Sequence, residues 1–200
     1  MMDIVEQAKT YARHIFTGDA SGHDFDHTLR VYHTAVLIAG EEGADLLTVQ
    51  LAALLHDVDD RKLSPDTAEN LDNALAFLRE HQLSDAQIRA ICGIISQVSY
   101  SKHPGPPTTL EGKCVQDADR LDAMGAIGIA RTFAFGGNRG RRLHDPTGND
   151  PATSVAHFYE KLLLLKDLMN TSTGKRLAQD RDTFMRAFLD QFYAEWDGLR

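Results

Sequence analysis

Apolar residues recur at three- and four-residue spacing along almost the whole chain. No stretch alternates apolar and polar residues as a half-buried strand would. The pattern predicts an all-α fold. Residues 3–17 place Ile4, Ala8, Tyr11, Ala12 and Ile15 on one helical face, and residues 18–22 read as a turn. Asp24 or Asp26 supplies the acid favoured at a helix start, and the spine His27, Val31, Ala35 and Ile38 runs on to glycines 40 and 43. Residues 45–57 read as a strongly apolar helix. Pro65-Asp66 opens another that runs to about Gln82. Ser84 caps one that continues through Val98, with Ile88, Ile91, Ile94 and Ile95 inward. After a Pro/Gly loop at 102–107, a helix is expected over about 110–135, bent near Gly125. Residues 136–151 read as a loop carrying Arg139, Arg141 and Arg142. Residues 154–170 and 175–196 read as two long amphipathic helices. In the last, Phe184, Phe188, Phe192 and Trp196 repeat every four residues, a stripe suited to a core or a homodimer face. Nothing marks a linker, so one domain is expected over 1–200, with helices at 152–197 packed on it.

One stretch breaks the apolar logic. The run Leu51 to Leu55 ends abruptly in His56 and Asp57, followed by Asp59 and Asp60. Carboxylates beside a core are costly unless something cationic balances them. His27 lies on the inward side of its own helix, ahead of Val31 and Ala35. Between Cys114 and Asp122, Val115, Ala118, Asp119 and Asp122 share one helical face. Three separate helices thus offer ligand-type groups from their apolar faces, and one shared divalent metal ion would satisfy them together. Imidazoles with carboxylates make a mixed N/O shell, suited to Mn, Fe, Ni, Co or Zn more than to Mg or Ca.

Composition narrows the field. The formal charge of −8 argues against a nucleic-acid surface, which needs clustered positive charge. The two cysteines, Cys92 and Cys114, have no paired spacing, so neither a disulfide framework nor a zinc knuckle is expected. No apolar run approaches membrane-spanning length, and the polar start is no signal peptide, so a cytoplasmic protein is expected.

The segments Asp26-His27-Thr-Leu-Arg30-Val31, Leu55-His56-Asp57 and Asp117-Ala-Asp119-Arg120-Leu121 resemble the HD superfamily of metal-dependent phosphohydrolases. That family shows a first His, then a His-Asp pair, then a later Asp. The chain is most similar to small stand-alone HD proteins, through His23-Asp24 ahead of His27, through Val115 to Gly128, and through His157 to Asn170. The resemblance implies a compact helical HD bundle. It also implies a metal held by His27, His56, Asp57 and Asp119, with Asp122 as the alternative to Asp119. Asp117 is expected as a helix-start acid or a neighbour of the ligands.

Such a site would hydrolyse a small phosphorylated substrate. Asp60, three residues past Asp57, stands where several relatives carry Glu and is a candidate to accept the proton of the attacking water. Arg30 is a candidate to stabilise phosphoryl charge. His23, Asp24, Lys62, Arg120 and Lys161 are candidates for substrate contacts, and the arginine-bearing loop is a candidate cover for a polyphosphate. Capping by Asp24 is the plainer reading of that residue. Phe25, Tyr32 and Tyr100 are candidates to stack on a base. The resemblance points to (deoxy)nucleoside triphosphates cleaved to monophosphate and pyrophosphate, with one divalent ion, manganese foremost and Mg among the alternatives. A nucleoside monophosphatase, a guanosine-tetraphosphate-type hydrolase and a non-catalytic signalling module remain open alternatives.

Overall fold

The computed structural model describes residues 3–17, 24–60, 64–98 and 105–199. The expected turn at 18–22, His23, Lys62, Tyr100 and residues 102–104 of the expected Pro/Gly loop lie outside them. Among the described residues every regular element is helical. None of these helices is long and apolar enough to cross a membrane. The chain divides into two compact units, one reaching to Asp119 and one starting at Arg120.

The first unit is built around α3 (Leu46–Leu55), which packs against α1 (Ile4–Ile15), α2 (Phe25–Glu42) and α5 (Asp85–Val98). Leu51 to Leu55 are all fully buried, so α3 has no solvated face in its last turns. A helix apolar all round belongs in an interior. The capping chemistry is local and strong. Asp24 accepts a hydrogen bond from the His27 backbone N–H at 2.8 Å, and Asp45 accepts one from Thr48 N at 3.0 Å. Gly43, at φ +76°, closes α2 in the left-handed conformation that glycine adopts without strain. Ser84 and Gln87 form a reciprocal box at the start of α5.

The helix expected from Pro65 is shorter than the apolar pattern suggests. Residues 65–71 are turns, and α4 covers Asp72–Glu80 only. Leu71 takes φ 58°, which interrupts any helix entering from the N-terminal side. The Asp59 carboxylate accepts from the backbone N–H groups of Asn73 and Ala74, so the helix begins where a distant acid caps it. The single helix expected over 110–135 is two, α6 (Leu110–Asp122) and α7 (Gly125–Asn138). Gly125 adopts φ +68°, and a Cβ on Gly128 would meet the Ala123 carbonyl oxygen at 2.3 Å. The glycines therefore permit a break, not a bend.

In the second unit α7, α8 (Ser154–Glu160), a 3-10 helix (Leu162–Leu168) and α9 (Ser172–Trp196) pack together. The first of the two expected C-terminal helices is thus split at Lys161. The four-residue aromatic stripe only partly enters the core. Phe188 stacks with Phe158 and meets Phe133, while Phe184 and Trp196 remain 53% and 44% exposed. With 3.6 residues per turn, a four-residue repeat drifts by about 40° per step, so its ends rotate out of the interface. The loop after α7 is ordered by Asp145, which accepts from Thr147 Oγ1 and from the backbone N–H groups of Thr147, Asn149 and Asp150.

Two outcomes follow. Leu54→Ala, in the fully buried end of α3, should lower unfolding free energy by about 2–5 kcal/mol in urea titration, as deletion of core leucine atoms does. The hydroxyl of Thr147, opposed by burial and reinforced by the three backbone donors, holds the Asp145 carboxyl down to about 2. Its contribution to loop order is therefore present above the ordinary carboxyl value near 4 and lost as pH falls towards 2. Amide exchange at Asn149 and Asp150 should lose protection across that window, and protection unchanged at pH 2 would contradict the assignment.

Candidate metal centre

Two elements of the first unit aim histidines at one point. The Asp24 cap fixes the first turn of α2, and so sets His27, which is 1% exposed, on its inward face. His56 is the residue where α3 stops, and its Nδ1 lies 2.8 Å from the Ala53 carbonyl. That carbonyl can only accept, so Nδ1 carries a proton and Nε2 is the nitrogen left to face the carboxylates or a metal. The His27 and His56 rings meet edge to face with centroids 5.5 Å apart.

The carboxylates come from the turn after α3 and from α6. His27 Nε2 lies 3.5 Å from Asp57 Oδ2 and 3.5 Å from Asp119 Oδ1, and His56 Nε2 lies 3.2 Å from Asp57 Oδ2. One ligand atom each from His27, His56 and Asp119 falls within 4.8 Å of the others. His56 Nε2 is buried and makes no well-formed hydrogen bond there. Burial pushes the His56 imidazolium down, but Asp57 and, behind it, Asp119 more than reverse this and raise it to about 9. That rise reflects the negative field of the two carboxylates, which also suits a cation. The donor set fits a divalent metal ion of the imidazole-and-carboxylate kind.

The other sequence candidates fall in varied places. Asp122 is buried in an ion pair with Arg131, so its carboxylate is already neutralised. Asp117 is fully buried well inside α6 and is not a helix-start acid, because that helix begins seven residues earlier at Leu110. Asp60 closes the turn, its N–H donating to Asp57 O at 3.0 Å, and is half-buried. Arg30 is half-buried one turn along α2 from His27. Asp24 is engaged as the cap. Arg120 is buried and donates to the Leu168 carbonyl within the second unit. Lys161 also belongs to that unit. Burial and then the Lys161 charge, with Arg141 adding to it, push His157 below the usual imidazolium range. Phe25 lies under Arg13 and Tyr32 under Lys9, each cation 4.6 Å from the ring centre. Arg139 and Arg141 lie over Phe135, while Arg142 pairs with Asp145.

The sequence matches the HD domain family over residues 24–124, a span that contains His27, His56, Asp57 and Asp119. The chain belongs to the HD-domain family. YpgQ of Bacillus subtilis is 42% identical to it over 97% of this chain and 94% of that protein. An HD-superfamily hydrolase of Bacillus thuringiensis superposes with a TM-score of 0.84 at 42% identity, covering 96% of both chains. The crystal structure of YpgQ in complex with ADP superposes with a TM-score of 0.83 at 38% identity, covering 98% of this chain and all of that one. The protein is therefore an enzyme of the HD-superfamily hydrolases, and its all-α fold is the HD fold.

Two residues that shape this centre escaped the sequence reading. Asp59 has no assigned role in the sequence motifs, yet it is 3% exposed and caps α4. Asn73, its partner, carries no signal in any motif.

If the cluster takes a cation, added Mn should raise the melting temperature, because a ligand at 100 times its Kd stabilises by about 2.7 kcal/mol. Asp119→Ala should abolish the Mn-dependent shift. Asp122→Ala should lower the melting temperature yet keep the shift. A full shift in Asp119→Ala would remove that residue from the site.

Proposed function

We propose that this HD hydrolase cleaves (deoxy)nucleoside triphosphates to the monophosphate and pyrophosphate with one divalent metal ion, manganese foremost. The observations that support the reading are ligand atoms of His27, His56 and Asp119 within 4.8 Å of one another, and Asp57 Oδ2 at 3.5 Å from His27 Nε2 and 3.2 Å from His56 Nε2. The nucleotide part draws support from YpgQ, a protein alike along its whole length and crystallised with ADP. A bound nucleoside diphosphate carries the base, sugar and phosphoanhydride that such a substrate presents.

In this reading His27 and His56 donate through Nε2, and Asp57 and Asp119 each through a carboxylate oxygen. A bound divalent ion would supply an acidified water, with a pKa lowered towards about 7, and would draw charge from the phosphoryl oxygens. The chain's own groups do the rest. Asp60, beside the ligand turn, accepts the water's proton or orients it. Arg30 holds phosphoryl oxygens, since a planar guanidinium can bind two at once where an ammonium acts as a point charge. Asp24 contributes by fixing His27 through its cap. Arg120 contributes by holding the chain at Leu168.

A nucleotide panel with MnCl2, products resolved by ion exchange, tests the reading. Equimolar monophosphate and pyrophosphate are expected, and orthophosphate alone would identify a phosphatase instead. Asp60→Asn should lower kcat by about 100- to 10,000-fold, the usual range for a positioned base, with KM little changed. An unchanged kcat would remove Asp60 from that role.

A further inference from the structure

The turn that carries His56 and Asp57 is not fixed by a helix. Beyond Leu55 the backbone leaves α3, and residues 56–59 are turns. Local bonds in this segment include His56 Nδ1–H to Ala53 O, Val58 N–H to Leu55 O, at 3.4 Å, and Asp60 N–H to Asp57 O. Much of its remaining restraint comes from Asn73, fifteen residues beyond Val58. The Asn73 side-chain amide donates to the Val58 carbonyl at 3.0 Å and to Thr67 Oγ1 at 3.1 Å. Its backbone N–H donates to Asp59 Oδ1 at 3.1 Å, and the next N–H, of Ala74, donates to Asp59 Oδ2 at 2.9 Å. Its carbonyl accepts from the Tyr11 hydroxyl of α1 at 3.0 Å. One residue thus joins α1, the turns at 64–71, the first turn of α4 and both residues that follow Asp57.

We infer that Asn73 is a positioning residue for the metal-binding turn: its amide, clasped on the Val58 carbonyl, sets where His56 and Asp57 point. The inference rests on the metal reading proposed above. Val58 is fully buried and Asp59 nearly so, which shields both bonds from competition by water. Removing the amide leaves a buried carbonyl without that donor and frees the Val58–Asp59 peptide, next to the ligand pair, to rotate. Ligand carboxylates tolerate little such movement. Loss of an outer partner that orients a metal ligand typically weakens metal affinity or activity by about 10- to 100-fold. Asp59 is the lower half of the same clasp, and its position at the positive end of α4 suits its charge.

The test is calorimetric titration of MnCl2 into the full-length protein, alongside thermal melting. Asn73→Ala keeps both backbone donors to Asp59 and removes only the amide. Mn binding is expected to weaken by about 10- to 100-fold. At saturating Mn, KM for a nucleoside triphosphate should stay unchanged. Ser84→Ala, which removes the α5 cap far from the clasp, is the stability control, and its Mn affinity should match that of the wild type. If Asn73→Ala fails to fold, Asn73→Ser, with a hydroxyl too short to reach Val58, replaces it with the same expectation. Wild-type affinity in the Asn73 variant would overturn the inference, as would an equal loss in Ser84→Ala. A wild-type protein that binds no Mn would instead overturn the metal reading itself.

Discussion

Two imidazoles, both buried, and two partly exposed carboxylates share one corner at the end of α3, and that arrangement constrains everything around it. An uncompensated buried charge costs several kcal/mol, so such a corner persists only where its charges are matched. Protonating His56 relieves part of the repulsion, and the carboxylates accordingly hold its imidazolium up to about 9. A divalent cation would relieve it more fully, because it brings two positive charges to the same point. The histidine tautomer agrees with this. The Ala53 carbonyl accepts the Nδ1–H hydrogen bond and leaves Nε2 to face the carboxylates.

The fold can be understood as the scaffold for that corner. α3 is buried on every side through its last turns, so its end cannot shift without opening the core. The cap from Asp24 fixes the first turn of α2 and with it His27. Asp119 arrives from α6, whose residues Cys114 to Ala118 are buried all round the helix. The His56–Asp57 turn is the weakest of these supports, since no helical ladder runs through it. The chain compensates with the clasp from Asn73 and Asp59. Rigid helices thus carry His27 and Asp119, while a hydrogen-bonded turn carries the pair between them.

Much of this was legible in the sequence, for a physical reason. His27, His56 and Asp119 are polar groups on otherwise apolar stripes, and helical spacing alone shows that they face inward. Caps at Asp24 and Ser84 are equally local, since each acts within three residues of itself. What the sequence hid depends on distance. Asp59 caps a helix that starts thirteen residues later, so local propensity at Pro65 pointed to the wrong starting point. The break between α6 and α7 turns on the room available at Gly128, which no periodicity records. The aromatic stripe of α9 looked continuous in the sequence but drifts around the helix, and only its middle reaches Phe133 and Phe158. Asp122 shared a face with Asp119 on paper, and only the structure shows Arg131 neutralising it.

Membership of the HD family places the chain among hydrolases, and the chemistry of the corner connects that membership to named atoms. Anomalous diffraction at the manganese edge, from crystals of this protein grown with MnCl2, addresses the central claim most directly. The account predicts one strong peak bonded to His27 Nε2, His56 Nε2 and carboxylate oxygens of Asp57 and Asp119. A peak bonded elsewhere, or none at full manganese saturation, would contradict it.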